Sequence, residues 1–123
     1  MIFCFGSNLS GIHGAGAALF AHRHHGAEYG IGEGLTGNSY ALPTKGLNIT
    51  FMDFTEVQEH VEKFILFATE NPGLQFQVTR IGCGLAGFTD EQIAPLFTDA
   101  PSNCLFDSAW KQYLPSVAFW GTI

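Results

Sequence analysis

The chain has 123 residues, of which 46% are hydrophobic and only 13% charged, with a formal net charge of −6. A chain of this size buries roughly two thirds of its unfolded surface, enough for one core in one domain. The composition excludes a disordered segment and a charge-rich helical bundle. The 5 Lys and Arg residues are scattered singly, which excludes a nucleic-acid backbone binder. A small anionic ligand remains open, because backbone N–H groups at a helix start bind phosphate without side-chain charge.

Met1 to Phe5 is short, apolar and aromatic, and predicts a strand buried on both faces that stops at Gly6. The Ala-rich run from His13 to Ala27 predicts a helix, with Gly26 as its C-terminal stop. Glu28 to Asn38 is glycine-rich and reads as a loop. Ser39 to Lys45 reads as a short strand that Pro43 ends or places at an edge.

Thr55 and Gln58 match a capping box, with Thr55 as the N-cap. Val57, Val61, Phe64, Ile65 and Ala68 then recur at helical spacing, and Asn71-Pro72-Gly73 stops the segment. Leu74 to Ile81 alternates as a strand and runs into the turn Gly82 to Phe88. Thr89 and Gln92 repeat the capping box over a short helix that Pro95 interrupts. Asn103 to Phe106 and Val117 to Trp120 predict two further short strands. Strands alternating with helices argue for a single-domain α/β layered sheet flanked by helices.

Cys4, Cys83 and Cys104 form an odd set without C-x-x-C spacing, as expected of reduced thiols in the cytoplasm. There is no signal-peptide pattern and no run approaching the ~18 apolar residues of a membrane span, so no membrane partner is expected. With 12 Phe and few charges, the surface is expected to be apolar enough for self-association, most simply as a two-fold homodimer.

The two glycine-rich turns, after Phe5 and after Ile81, sit at strand ends, where α/β sheets hold ligands. Facing each other, two such turns can grip a diphosphate between their amides. Glycine serving only close packing is the alternative. The Rossmann fingerprint fails, because in the register from Gly14 the residue at its last small position is Leu19. A P-loop is excluded, since no G-K-[ST] follows either turn. No cofactor is expected.

Gly6-Ser7-Asn8, then Gly11 with Gly14-Ala15-Gly16, then Tyr40 to Thr44, then Ile81 to Phe88 resemble the ordered landmarks of macro domains, which bind ADP-ribose and its derivatives. The pattern is also similar to that of small phage and prophage proteins. The macro resemblance implies a compact macro-like fold in which Gly14, Ala15 and Gly16 cradle a diphosphate and the distal ribose. Gly82, Cys83, Gly84, Leu85, Ala86, Gly87 and Phe88 would form the opposite wall, and Asn8 would face a ribose. Gly6, Ser7, Gly11, Ala17, Thr44 and Lys45 complete the expected ligand set. The family's preceding strand and adenine-selecting Asp have no counterpart in this sequence, so no adenine preference is implied. Some family members hydrolyse the ligand and others only bind it. The phage resemblance implies a protein that sequesters a bacterial immune signal.

For catalysis the candidates are Asn8, which can orient a ribose hydroxyl or water, and Glu33, a general base if desolvated. Their alternatives are a turn cap for Asn8 and an exposed loop acid for Glu33. Cys83 reads as cleft lining rather than nucleophile. Lys45 is either a phosphate partner or a surface lysine. His22 and His25 share a helix face, but no third ligand is evident, so they read as a solvated helix end and no metal is expected. Trp110, Tyr113, Phe119 and Trp120 are read as core or dimer contacts ahead of base stacking.

Overall fold

The computed structural model describes residues 1–122. The strands are β1 (Ile2–Asn8), β2 (Gly34–Thr36), β3 (Ser39–Lys45), β4 (Phe76–Val78), β5 (Cys104–Asp107) and β6 (Phe119–Gly121). The helices are α1 (Gly16–His24), α2 (Phe54–Glu70) and α3 (Asp90–Ile93), supplemented by 3-10 turns at Leu47–Ile49, Ala94–Phe97 and Ser108–Trp110. The strands form one six-stranded sheet in the order β2-β3-β1-β4-β5-β6. Only the β2–β3 pair is antiparallel. The result is a single compact α/β domain, a mixed sheet flanked by helices.

β1 lies in the middle of the sheet, and its side chains alternate between two cores. Phe3 and Phe5 join Ala18, Ala21, Ala27 and Ala41 on the α1 face. Cys4 points to the other face, where Val57, Val61, Phe64 and Ala68 of α2 pack on Tyr40, Leu42, Phe76 and Val78. The small alanines of α1 let that helix lie close over the aromatic strand. The larger core gets its shape from aromatic edges: Phe64 meets Phe76 at 5.2 Å and Tyr40 at 4.9 Å, both in T-shaped contacts. Trp110 is fully buried there, and its indole N–H donates to Asp90 Oδ1 at 2.7 Å.

Several boundaries differ from expectation. β1 does not stop at Gly6 but continues to Asn8, because Gly6 and Ser7 pair with Leu42 and Pro43 of β3. β3 has the expected span, Ser39 to Lys45, and Pro43 does not end it; β2 ends opposite Ala41, so Pro43 lies where β3 has β1 alone as its ladder neighbour. The glycine-rich loop contains the short strand β2, which pairs back on β3 around Gly37 in the left-handed conformation (φ 59°). The Thr55 capping box does not form. α2 starts at Phe54 with Asp53 as an N-cap that makes no side-chain cap bond. Packing of Phe54 against Phe88, at a ring distance of 6.0 Å, draws the helix start upstream of the sequence signal. β4 is limited to Phe76–Val78, since Thr79 turns both its N–H and its hydroxyl onto the Cys4 carbonyl.

Other signals hold. The Thr89–Gln92 capping box is fully formed, and the segment containing Pro95 is a 3-10 turn rather than a continuation of α3. Gly26, at φ 74°, ends α1 and lets the Ala27 N–H reach back to the Ala21 carbonyl at 3.2 Å. His22 Nδ1 hydrogen-bonds the Ala27 carbonyl at 2.6 Å, so this histidine staples the helix end.

Candidate functional site

The C-terminal ends of β1, β3, β4 and β5 border one cleft of about 1030 Å³. Gly6, Ser7 and Asn8 enter it from β1, and Thr44 and Lys45 from β3. Gly14, Ala15, Gly16 and Ala17 form the wall leading into α1, while Gly82, Cys83, Gly84, Leu85 and Ala86 form the facing wall. The two bends therefore converge. A Cβ built on Gly6 would sit 3.4 Å from Gly82 N and 3.3 Å from Thr44 Oγ1, so bare backbone at Gly6 brings the two strand ends together.

The amides of the bends divide into spent and unspent. In the first bend Gly11 N–H donates to the Asn8 carbonyl at 3.0 Å, and Ile12 N–H to Asn8 Oδ1 at 3.0 Å. The first intrahelical donor of α1 is Leu19, bonded to the Ala15 carbonyl at 3.1 Å. The N–H groups of Gly16, Ala17 and Ala18 have no acceptor among the described residues, and the N-cap Ala15 has no side chain to supply one. In the second bend Cys83, Gly87 and Phe88 donate to Arg80, Gly84 and Gly82. Gly84, Leu85 and Ala86 have no acceptor among the described residues.

The glycines divide in the same way. Gly11 has φ 68°, and a Cβ there would come within 2.5 Å of Ile31 N, so it serves close packing against the Gly30 segment. Gly87 also has positive φ, at 87°. Gly14 and Gly84 are different: neither has positive φ, and a Cβ on either would meet nothing within 4 Å among the described residues. The fold needs glycine at neither position.

Not every predicted site residue lies here. Gly11, Gly87 and Phe88 are not part of the cleft wall. Phe88 packs instead on Phe51 and Phe54, at ring distances of 6.3 and 6.0 Å. Glu33 does not line the cleft either. Its Oε2 pairs with His60 Nδ1 at 2.5 Å and its Oε1 lies 3.8 Å from Lys63 Nζ, both on α2, because β2 carries this loop to the sheet edge. Asn8 does line the cleft but spends its amide locally. Nδ2 donates to the Ile12 carbonyl at 2.8 Å while Oδ1 accepts from Ile12 N–H, which closes the bend.

Cys83 is held as a thiol. Burial, together with the nearby Asp90 carboxylate, pushes its pKa up to about 12, and its Sγ lies 3.4 Å from the Ile81 carbonyl. Asp90 takes Arg80 Nε on Oδ1 at 2.8 Å and Nη2 on Oδ2 at 2.5 Å, which holds its carboxyl below the usual range. The Thr44 hydroxyl donates to the Ser7 carbonyl at 3.3 Å, and the Ser7 hydroxyl to the Gly32 carbonyl, so both brace the floor.

Sequence reasoning missed Thr79, Arg80, Asp107, Phe20 and Ile49, all of which line the cleft. Asp107 and Thr79 follow from topology, since β4 and β5 end beside β1. Phe20 is 45% exposed on the cleft side of α1, and its ring meets Phe3 at 5.4 Å in a tilted contact. Ile49 adopts φ 59°, a strained conformation for a β-branched residue, in the 3-10 turn at the cleft mouth. Trp110 is core instead of ligand wall, and the Trp120 indole N–H donates to the Val78 carbonyl at 2.9 Å.

No family model and no curated protein matches the sequence. A solved structure, described as a protein of unknown function from Bacteroides thetaiotaomicron, is similar over 98% of this chain and 87% of its own, with 15% sequence identity and a TM-score of 0.58. At that identity the likeness is one of fold.

Proposed function

We propose that this chain binds a small nucleotide in the cleft, of the ADP-ribose or cyclic-nucleotide type, and holds it without turnover. The carrying observation is that Gly14 and Gly84 face one cleft with no conformational or packing need for glycine, beside amides that have no acceptor among the described residues. Bare backbone of this kind suits close approach of an anionic group, and the start of α1 adds its dipole. The volume lies at the upper limit of that of small-molecule sites, which leaves room for a ligand as large as a nucleotide. In keeping with the resemblance to phage proteins, the reading extends to a cytoplasmic sponge for an immune signal, acting as a homodimer. Exposed Phe51 (73%) and Leu85 (74%) support self-association.

A hydrolase of ADP-ribosyl derivatives is the weaker reading for the residues first considered. Glu33 is engaged with α2, Asn8 with Ile12, and the Cys83 thiol is far from ionising at neutral pH.

The test is calorimetry with ADP-ribose, cyclic ADP-ribose isomers and cyclic dinucleotides, with chromatography for products. Gly84→Val places a side chain in the open cleft. It is expected to leave the urea midpoint nearly unchanged and to weaken binding by more than about tenfold, or ~1.4 kcal/mol. Product formation at catalytic protein levels would replace the binder with the enzyme. No thermal shift with any of these compounds would favour a protein-interaction module.

A further inference from the structure

Opposite the α1 wall, the cleft contains a carboxylate that an anion cradle does not explain. Asp107 ends β5, is 2% exposed, and lines the cleft. Its Oδ1 accepts the Ala109 N–H at 2.9 Å and so caps the 3-10 turn Ser108–Trp110. Oδ2 has no hydrogen-bond partner among the described residues, and the nearby guanidinium of Arg80 directs Nε and Nη2 to Asp90 instead. Nor is Oδ2 sealed in. The fully enclosed side-chain polar atom lacking a partner among the described residues is His13 Nδ1, so the small remaining opening of Asp107 is toward the cleft it lines.

Capping a turn requires one acceptor oxygen and no charge; asparagine does it equally well. A carboxylate kept nearly buried with one oxygen idle is costly unless something donates to it. It repels phosphate, so its partner cannot be the anionic part of a ligand. We infer that Asp107 Oδ2 accepts a hydrogen bond from a neutral donor of the bound nucleotide, a ribose hydroxyl or a base amino group, at the end remote from the phosphates. This rests on the nucleotide reading above and adds to it a polarity. The ligand is anionic where it meets the amides of Gly16 to Ala18 and Gly84 to Ala86, and a hydrogen-bond donor where it meets β5. Inorganic diphosphate satisfies only the first condition.

The experiment titrates wild type and Asp107→Asn with ADP-ribose, its hypoxanthine counterpart and inorganic pyrophosphate, alongside the melting temperature of each protein. Asparagine retains the Oδ1 acceptor, so the melting temperature is expected to stay the same, but it turns a donor toward the ligand in place of Oδ2. ADP-ribose affinity is expected to fall about tenfold to a hundredfold, the usual scale for a lost bond to a charged group. Pyrophosphate affinity is expected to be unchanged or higher, because a repulsive charge is gone. An equal loss for the hypoxanthine compound identifies a sugar hydroxyl as the donor, and a loss confined to ADP-ribose identifies the amino group. Unchanged ADP-ribose affinity, or a matching loss for pyrophosphate, overturns the inference. So does a wild type that binds pyrophosphate but not ADP-ribose. A wild type that binds none of the three, and none of the cyclic ADP-ribose isomers or cyclic dinucleotides, overturns the nucleotide reading itself.

Discussion

The bend between β1 and α1 and the bend after β4 have similar compositions, and each leads to a helix, yet they end differently. The second delivers the chain into α3 through a completed capping box, in which Thr89 and Gln92 satisfy each other's backbone donors. The first delivers it into α1 through Ala15, in an extended conformation suited to a cap but with no side chain to make one. Within the first bend the contrast recurs between Gly11, wedged against Gly30 and Ile31, and Gly14, with open space where a side chain would go. Gly11 and Gly14 thus have separable physical causes. One is internal close approach, and the other is an open wall that a ligand can reach.

The strongest way to break this comparison is to fill both kinds of glycine in one bend. Gly11→Ala forces a left-handed alanine into backbone contact and is expected to cost about 2–4 kcal/mol of stability. Gly14→Ala, free of both constraints, is expected to stay within about 0.5 kcal/mol of the parent. Urea unfolding midpoints at constant slope measure both, and equal losses would collapse the distinction.

The helix starts give a smaller effect. Thr89→Ala removes a working cap and is expected to cost about 1 kcal/mol, whereas Ala15→Ser adds one to α1 and is expected to gain about 0.5–1 kcal/mol. Because the new hydroxyl takes an amide of the first turn, Ala15→Ser should also weaken ADP-ribose binding. Tighter binding with the cap in place would contradict the assignment of these amides to the ligand.

The smallest effect concerns the packing behind the first bend. Burial holds the pKa values of His13 and His25 below their ordinary value of 6.5. As pH falls below 6.5 the unfolded chain takes up protons that the folded imidazoles resist, so stability declines with acidification. Imidazole titration by NMR, with unfolding measured between about pH 7 and about pH 5, checks this. A His13 midpoint at or above the ordinary value would mean that the pocket behind Phe5 is wet.

Local signals were legible where a few neighbouring residues decide the outcome. The helical spacing of Val57, Val61, Phe64 and Ala68 marked the buried face of α2, and Thr89 with Gln92 marked the start of α3. The same local signal at Thr55 misled, because the helix begins one residue earlier, at Phe54, whose ring packs on Phe88. The cleft walls could be named from glycine and strand order, whereas Asp107 and Phe20 could not. A single Asp after a short apolar run looks like any turn acid until β5 is placed beside β4, and Phe20 reads as helix filler until α1 is laid along β1.

Read alone, the chain established its alternation of strands and helices, its apolar faces and two glycine-rich bends at strand ends, since these depend on periodicity and on backbone conformations within a few residues. The three-dimensional arrangement decided that the bends meet, which amides remain without acceptors, that Glu33 turns away to α2, and that Asp107 comes to share the cleft. Those outcomes depend on parallel pairing between segments far apart in the chain, and no local pattern encodes which strand lies next to which.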